Sequence, residues 1–368
     1  MIATGRSQVS QPMRSNATVQ IFDGADKPLR AAEHPLPTQL NGGEVLVKIR
    51  LATICGSDLH TISGQRTEAT PAILGHEAVG KVVAHGPGRP DLQLGDRVTW
   101  TIADSCGHCL PCTRYGLPQK CDHLFKYGHA TLANGTGLNG CYASHIVLRA
   151  GTHIVKVPDD LPDRVVAPAN CALATMISAT ARLPQGCQSV VIQGAGLLGI
   201  YGCALLQEAG VKRVFCVDVQ EQRLAQVAHF GGIPIDGRPG PYATARAKIL
   251  AATQHGVDAV LEVAGASALV PEGIRLLRPG GYYGLVGMVH PHSQLDITGE
   301  QIIRKHLTLF GIHNYAPPHL DAALAFLAQT QHRYPYADLV SPTYPLTDLT
   351  TAIRVAQRGQ WHRVAIAA

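Results

Sequence analysis

Four cysteines fall within sixteen residues: Cys106-Gly-His-Cys109-Leu-Pro-Cys112, then Cys121 after eight intervening positions. Two-residue spacings let successive thiolates converge on one ion, and the longer loop can bring round the fourth. That is the arrangement of a closed structural zinc site. The competing reading, a disulfide framework, belongs to short secreted chains, whereas this chain has 368 residues and starts without a signal-like segment. An ion saturated by four thiolates has no open position, so this cluster predicts a folded lobe rather than a reaction.

Other groups with reactive potential are scattered. They are Cys55-Gly-Ser57-Asp58-Leu-His60, Gly75-His76-Glu77 and Asn170-Cys171. Each is unremarkable alone, because buried cysteines and core histidines are usually packing. The turn Gly194-Ala-Gly196-Leu-Leu-Gly199 is more specific. Its first glycine permits a tight turn, its second lets backbone approach a pyrophosphate, and its third packs helix on strand. The anion then meets the N–H groups of a helix N-terminus. Asp218 lies 19 residues beyond Gly199, where a carboxylate would bind the ribose hydroxyls. It would repel a 2′-phosphate, which favours NAD over NADP. Arg223 is the counterweight, since a nearby arginine can receive that phosphate.

These residues must be positioned by two kinds of element. From about Val19 to Val157 the chain reads as short strands separated by turns: Val45–Arg50, Ala78–Ala84 and Tyr142–Leu148, with turn chemistry at Asn41-Gly42-Gly43 and Leu94-Gly95-Asp96. The rhythm changes near Ala167. Strands at Ser189–Ile192, Val214–Val217, Ala259–Val263 and Tyr282–Val286 alternate with helices at Leu197–Ala209 and Glu221–Phe230. Such alternation predicts a parallel, doubly wound sheet, and thus an α/β protein. After about Gly311 the pattern is mixed, with an amphipathic helix near Leu320–Ala328.

Whole-chain properties exclude several classes. Hydrophobic residues make up 46% and charged ones 15%, a globular balance. The net charge of +5 is spread without basic runs, so no nucleic-acid surface is expected. No apolar stretch reaches the length of a membrane span. Ten cysteines in a chain without a signal-like start indicate a reducing cytoplasm. Residues 1–16 read as a disordered tail, within which Met13 is a second candidate start.

The Gly-His-Glu motif, the four-cysteine lobe, the dinucleotide fingerprint and their order together resemble the zinc-dependent medium-chain alcohol dehydrogenases over nearly all of the chain. The resemblance implies a GroES-like β-rich catalytic domain at 17–171 and 312–368, with the zinc lobe at about 104–123. A Rossmann NAD-binding domain is implied at 172–311. It further implies a catalytic zinc on Cys55, His76 and Cys171 with an open fourth position, and Glu77 behind the metal or transiently on it. Asp58 would orient His76. Ser57 would contact the substrate hydroxyl, and His60 would pass its proton to solvent. Thr175 would lie beneath the nicotinamide, backbone at Val286 and Met288 would hold its carboxamide, and Arg363 would bind pyrophosphate. A homodimer or homotetramer is implied. Two departures stand out: the gap between Cys112 and Cys121 is one residue longer than is common, and Gly56 replaces a basic residue found in some members. Cys141, Cys187, Cys203 and Cys216 match no family role and read as inert core thiols.

The implied reaction interconverts a small alcohol and an aldehyde or ketone by hydride transfer, using two zinc ions per chain. Arg66, six after His60, matches a pocket position that is often apolar, and a guanidinium there could bind a carboxylate, phosphate or phosphonate. The segments Gly116–Cys121, Lys126–His129 and Gly311–Tyr315 resemble a subgroup associated with phosphonate catabolism, so an anionic substrate is expected. Two alternatives remain: a polyol- or threonine-type dehydrogenase, whose third zinc ligand is often glutamate where this chain has Cys171, and a non-catalytic nucleotide-binding relative.

Overall fold

The computed structural model describes residues 15–290 and 292–368. Most of the expected tail, and Met13 with it, lies outside the described residues; the first strand runs Asn16–Phe22.

Strands Ser189–Gln193, Arg213–Asp218 and Val257–Glu262 are runs of β-branched and apolar residues buried almost throughout. Such runs suit a sheet covered on both faces. All pairings in that sheet are parallel. In space the strands run Ile233–Asp236, Arg213–Asp218, Ser189–Gln193, Val257–Glu262, Leu277–Leu285, Thr308–Gly311. The order reverses between Ser189–Gln193 and Val257–Glu262, and in doubly wound sheets ligands bind in the crevice at that reversal. The helix Leu197–Glu208 starts there, and burial of Leu197, Ile200, Tyr201, Cys203, Ala204 and Leu206 explains its all-round apolar character. The expected strand at Tyr282 starts earlier, at Leu277, through a register break opposite Val257 and Ala259.

The β-rich half is organised on Val45–Ile54. This strand pairs antiparallel with Glu77–His85, His145–Leu148 and, from the far end of the chain, Arg363–Ala367. The pairing with Arg363–Ala367 returns the C-terminus to the half in which the chain began. The four-cysteine segment hangs between the paired strands Ala103–Asp104 and Phe125–Lys126. The helix Pro318–Thr330 places Leu320, Ala323, Leu324 and Leu327 in the same core as Val190 and Ile192 of the parallel sheet. The two halves therefore share buried apolar surface, and the cleft between them has packed walls.

Candidate active site

Each donor of the scattered set reaches the site by its own structural device. Cys55 precedes the helix Gly56–Ile62, and its backbone N–H donates to Asp58 Oδ2 at 2.9 Å. His76 follows Gly75, whose φ of +86° favours glycine and where a side chain would meet the Tyr142 ring at 2.7 Å. Glu77 begins the next strand opposite Thr53, whose hydroxyl donates to Glu77 Oε2 at 2.6 Å. Cys171 sits in a wide helical turn, Ala169–Leu173. Asn170 anchors that turn, donating from Nδ2 to the carbonyls of His76 and Trp100 at 3.0 Å each. Its own carbonyl accepts from the Tyr315 hydroxyl.

These devices bring Cys55, His76, Glu77 and Cys171 together, with one ligand atom from each lying within 4.8 Å of the others. Cys55, His76 and Glu77 are buried, and Cys171 is half-buried. His76 Nδ1 lies 3.4 Å from Asp58 Oδ1, within ion-pair reach. Neither atom has a hydrogen-bond partner among the described residues. Asp58 is held instead through Oδ2, by Cys55 N–H and by the Tyr142 hydroxyl at 2.9 Å.

The electrostatics of this pocket favour a cation. Burial lowers the pKa of His76, but Asp58 and Cys55 outweigh it and raise it to about 10. The two thiols are pushed apart: the Cys171 contact pulls the Cys55 pKa down, while the same contact and burial push Cys171 up. Burial lifts Glu77 to about 7, against the pull of Arg363. Sulfur, nitrogen and carboxylate donors at this separation fit zinc, whose bonds to sulfur are about 2.3 Å and to nitrogen about 2.0–2.1 Å.

The four-cysteine lobe is a separate set, with its sulfurs also within 4.8 Å of one another. Cys109 and Cys112 sulfurs are 3.3 Å apart, and Cys109 and Cys121 sulfurs 3.7 Å. Backbone N–H groups of Cys106, Cys109 and His123 point at sulfur, which suits thiolates bound to a metal.

At the glycine turn, Gly194 has φ +117°, and a side chain on Gly199 would strike the Gly194 carbonyl at 1.9 Å. A side chain on Gly196 would meet nothing within 4 Å, so that position borders open space where a phosphate could approach. Asp218 Oδ2 accepts from Ala195 N–H at 2.8 Å, and Arg223 stands 3.8 Å from the same oxygen. A cleft of ≈ 470 Å³ joins this turn to the metal set. Ser57, His60, Arg66, Thr175, Arg223, Val286 and Arg363 all line it.

Several expected residues have partners that sequence reasoning did not anticipate. Arg363 is buried against Glu77, with Nε to Oε2 at 2.7 Å and Nη2 to Oε1 at 2.8 Å. Its Nη1 donates to the His362 carbonyl. Its guanidinium is thus engaged with Glu77 while lining the cleft that reaches Gly196. Met288 packs its side chain against the core on one face of the parallel sheet. Arg66 is ion-paired to Glu68 at 2.6 Å. Of the four unassigned cysteines, Cys141, Cys203 and Cys216 are buried, but Cys187 is only half-buried. Sequence reasoning missed Thr53 and Tyr142 as members of the site, and it left Asn170 without a role. Their contributions rest on contacts between distant segments that no local spacing encodes.

The profile of the alcohol dehydrogenase GroES-like domain matches residues 41–159, and that of the zinc-binding dehydrogenases matches residues 198–329. L-Threonine 3-dehydrogenase of Photorhabdus laumondii is 31% identical over 75% of this chain and 78% of its own. 5-exo-Hydroxycamphor dehydrogenase of Pseudomonas putida is 28% identical over 86% of this chain and 90% of its own. A crystal structure of an alcohol dehydrogenase from Thermotoga maritima superposes with a TM-score of 0.90 at 28% identity, covering 96% of this chain and 99% of that one. The chain belongs to the zinc-dependent medium-chain alcohol dehydrogenase family. It is an oxidoreductase with a small-molecule substrate, and no helix among its described residues is long and apolar enough to cross a membrane.

Proposed function

We propose that the cleft oxidises an alcohol with NAD, or runs the reverse reduction, using the scattered donor set as its catalytic metal site. The observation that carries this reading is the convergence of Cys55, His76 and Cys171 donors in the cleft that also reaches Gly196. A zinc ion on these residues supplies Lewis acidity toward the substrate oxygen, and NAD supplies the hydride acceptor. Asp58 holds the imidazole of His76 in its ligating orientation. Glu77, tied to Arg363 and Thr53, is a fourth donor that can hold the metal's remaining position in the absence of substrate.

Ser57 is half-buried beside Cys55 and takes the proton of the substrate hydroxyl. His60, one helical turn on and exposed, passes it to solvent. Gly196 admits the pyrophosphate, and Asp218 selects the unphosphorylated ribose. Thr175 and the backbone around Val286 and Met288 flank the nicotinamide. The lobe zinc on Cys106, Cys109, Cys112 and Cys121 is structural. We place the enzyme in a reducing cytoplasm as a homodimer or homotetramer, with residues 17–171 and 312–368 as its catalytic domain and 172–311 as its cofactor domain.

Metal analysis joined to an NADH absorbance assay on a panel of alcohols tests the reading. About two zinc ions per chain and NADH formation are expected. One zinc ion and no turnover of any alcohol would contradict it.

A further inference from the structure

We infer that Trp361 is a cofactor-binding residue: its indole forms the aromatic wall of the dinucleotide groove and holds the ADP-ribose portion of the cofactor. The inference deepens the reading of this cleft as a dehydrogenase site and rests on its dinucleotide half. The residue itself stands outside the glycine turn, the ribose carboxylate and the metal set that carry that reading.

Trp361 lies in the loop between the helix Leu349–Gln357 and the strand Arg363–Ala367, and the chain is pinned on both sides of it. On one side Gly359 has φ +70°, and a Cβ there would lie 3.8 Å from Gln220 Oε1 and 4.0 Å from Arg223 Nη2. On the other, His362 Nε2 donates to the Ala195 carbonyl at 3.1 Å. The Ala195 N–H in turn donates to Asp218 at 2.8 Å. Arg363 is tied to Glu77 at 2.7 Å, and its strand pairs with Val45–Ile54. The residue between these anchors is therefore set against the glycine turn and Arg223.

Trp361 lines the cleft together with Gly196, Arg223 and Gly359, and no other Phe, Tyr or Trp among the described residues does so. It is 36% exposed, whereas Trp100, the chain's other tryptophan, is 0% exposed in the core. Its indole N–H forms no hydrogen bond among the described residues. The groove beside it is open: an added Cβ at Gly196 in one half, or at Gly56 in the other, would meet nothing within 4 Å. A large apolar ring left in water next to an open groove gains when a ligand covers it. An indole also suits a ligand that is flat at one place and polar at another, because its face is apolar and its N–H can donate. ADP-ribose offers both, with an adenine ring and sugars for the face and phosphate oxygens for the N–H. Arg223 and Arg363 line the same cleft and supply the charge, so the share left to Trp361 is contact area.

Calorimetric titration of the zinc-loaded full-length enzyme with ADP-ribose and, separately, with NADH tests the inference without turnover. Trp361→Ala should weaken ADP-ribose binding by roughly 10-fold, the scale of one covered aromatic side chain, and NADH binding by a similar factor. Trp361→Phe should weaken both by roughly threefold, because it keeps an apolar ring and loses the N–H. Unchanged ADP-ribose affinity in Trp361→Ala, or a loss confined to NADH, would overturn the inference. Tryptophan emission gives a second readout. Saturating ADP-ribose, which carries no reduced nicotinamide to accept energy, should shift the emission of the wild type. It should leave Trp361→Phe, where Trp100 alone emits, unchanged. An equal shift in both proteins would count against Trp361 as decisively as unaltered affinity.

The same titrations separate the role of this residue from the reaction. ADP-ribose binding that weakens in Trp361→Ala, with no alcohol oxidised by the wild type, would uphold the aromatic wall and overturn the dehydrogenase reading. Alcohol oxidation by the wild type, with equal ADP-ribose affinity in wild type and Trp361→Ala, would do the reverse.

Discussion

The lobe draws all four of its donors from one stretch, Cys106 to Cys121, on an excursion between two short paired strands. The cleft set draws Cys55, His76, Glu77 and Cys171 from three separate segments, each held by partners elsewhere in the fold. The lobe offers one kind of atom; the cleft offers sulfur, nitrogen and carboxylate oxygen. Three of the four lobe cysteines are half-buried, whereas in the cleft all but Cys171 are buried. The contrast is one of job. A local, saturated site needs only a short loop and contributes to folding. A site that must leave a position for substrate needs ligands fixed from behind, so the whole domain is recruited to hold it.

Removing a cleft ligand should have the largest effect. In His76→Ala, kcat/KM should fall roughly a thousandfold or more, as loss of several kcal/mol of Lewis-acid stabilisation implies. Tm should change little, because the lobe is intact. Steady-state NADH formation and a thermal melt on the same sample check both halves, and survival of activity would break the comparison. Asp58→Asn should come next, with roughly a 10- to 100-fold loss of activity or zinc affinity, since the buried carboxylate 3.4 Å from His76 loses its charge. Zinc titration of turnover would distinguish weakened metal binding from slowed chemistry.

Cys112→Ser should invert the pattern. Tm should fall by about 5 °C or more, while turnover per folded molecule stays within roughly threefold of wild type. A collapse of turnover in well-folded protein would show that the lobe does more than hold structure.

The smallest effect concerns His362, which meets the Ala195 carbonyl at 3.1 Å over the glycine turn. Burial lowers its pKa from 6.5 to about 4 against the contrary pull of that carbonyl, with Arg223 and Arg363 adding to the lowering. In the unfolded chain the imidazole takes up a proton near pH 6.5 that the folded chain refuses until about 4. Stability is therefore undiminished above pH 6.5 and falls as pH drops toward 4. Melts of wild type and His362→Gln across this window should show a shallower decline in the variant.

The lobe was legible in the sequence because its spacing is itself the geometry: cysteines with two residues between them on a tight loop can converge. The glycine turn was legible for the same reason, with strand, turn and helix contiguous. Cys55, His76 and Cys171 were not, since nothing local distinguishes a ligand cysteine from a core one; resemblance to a family supplied the grouping. The groups that fix them were the least visible. Tyr142 reads as the first residue of a strand, yet the strand begins at His145 and the Tyr142 hydroxyl serves Asp58. Arg363 opens the last strand and is read toward pyrophosphate, but its register against Val45–Ile54 sets it on Glu77. Hydrophobic pattern and turn chemistry thus fixed the elements, while their long-range register decided which polar groups met.

The central claim is that the two metal sites divide structure from chemistry. Zinc content set against NADH turnover in Cys112→Ser and His76→Ala, purified side by side, tests it most directly. The account predicts about one zinc ion per chain in each variant, with turnover retained in Cys112→Ser and lost in His76→Ala. Turnover in His76→Ala, or its absence in folded Cys112→Ser holding one zinc ion, would contradict it.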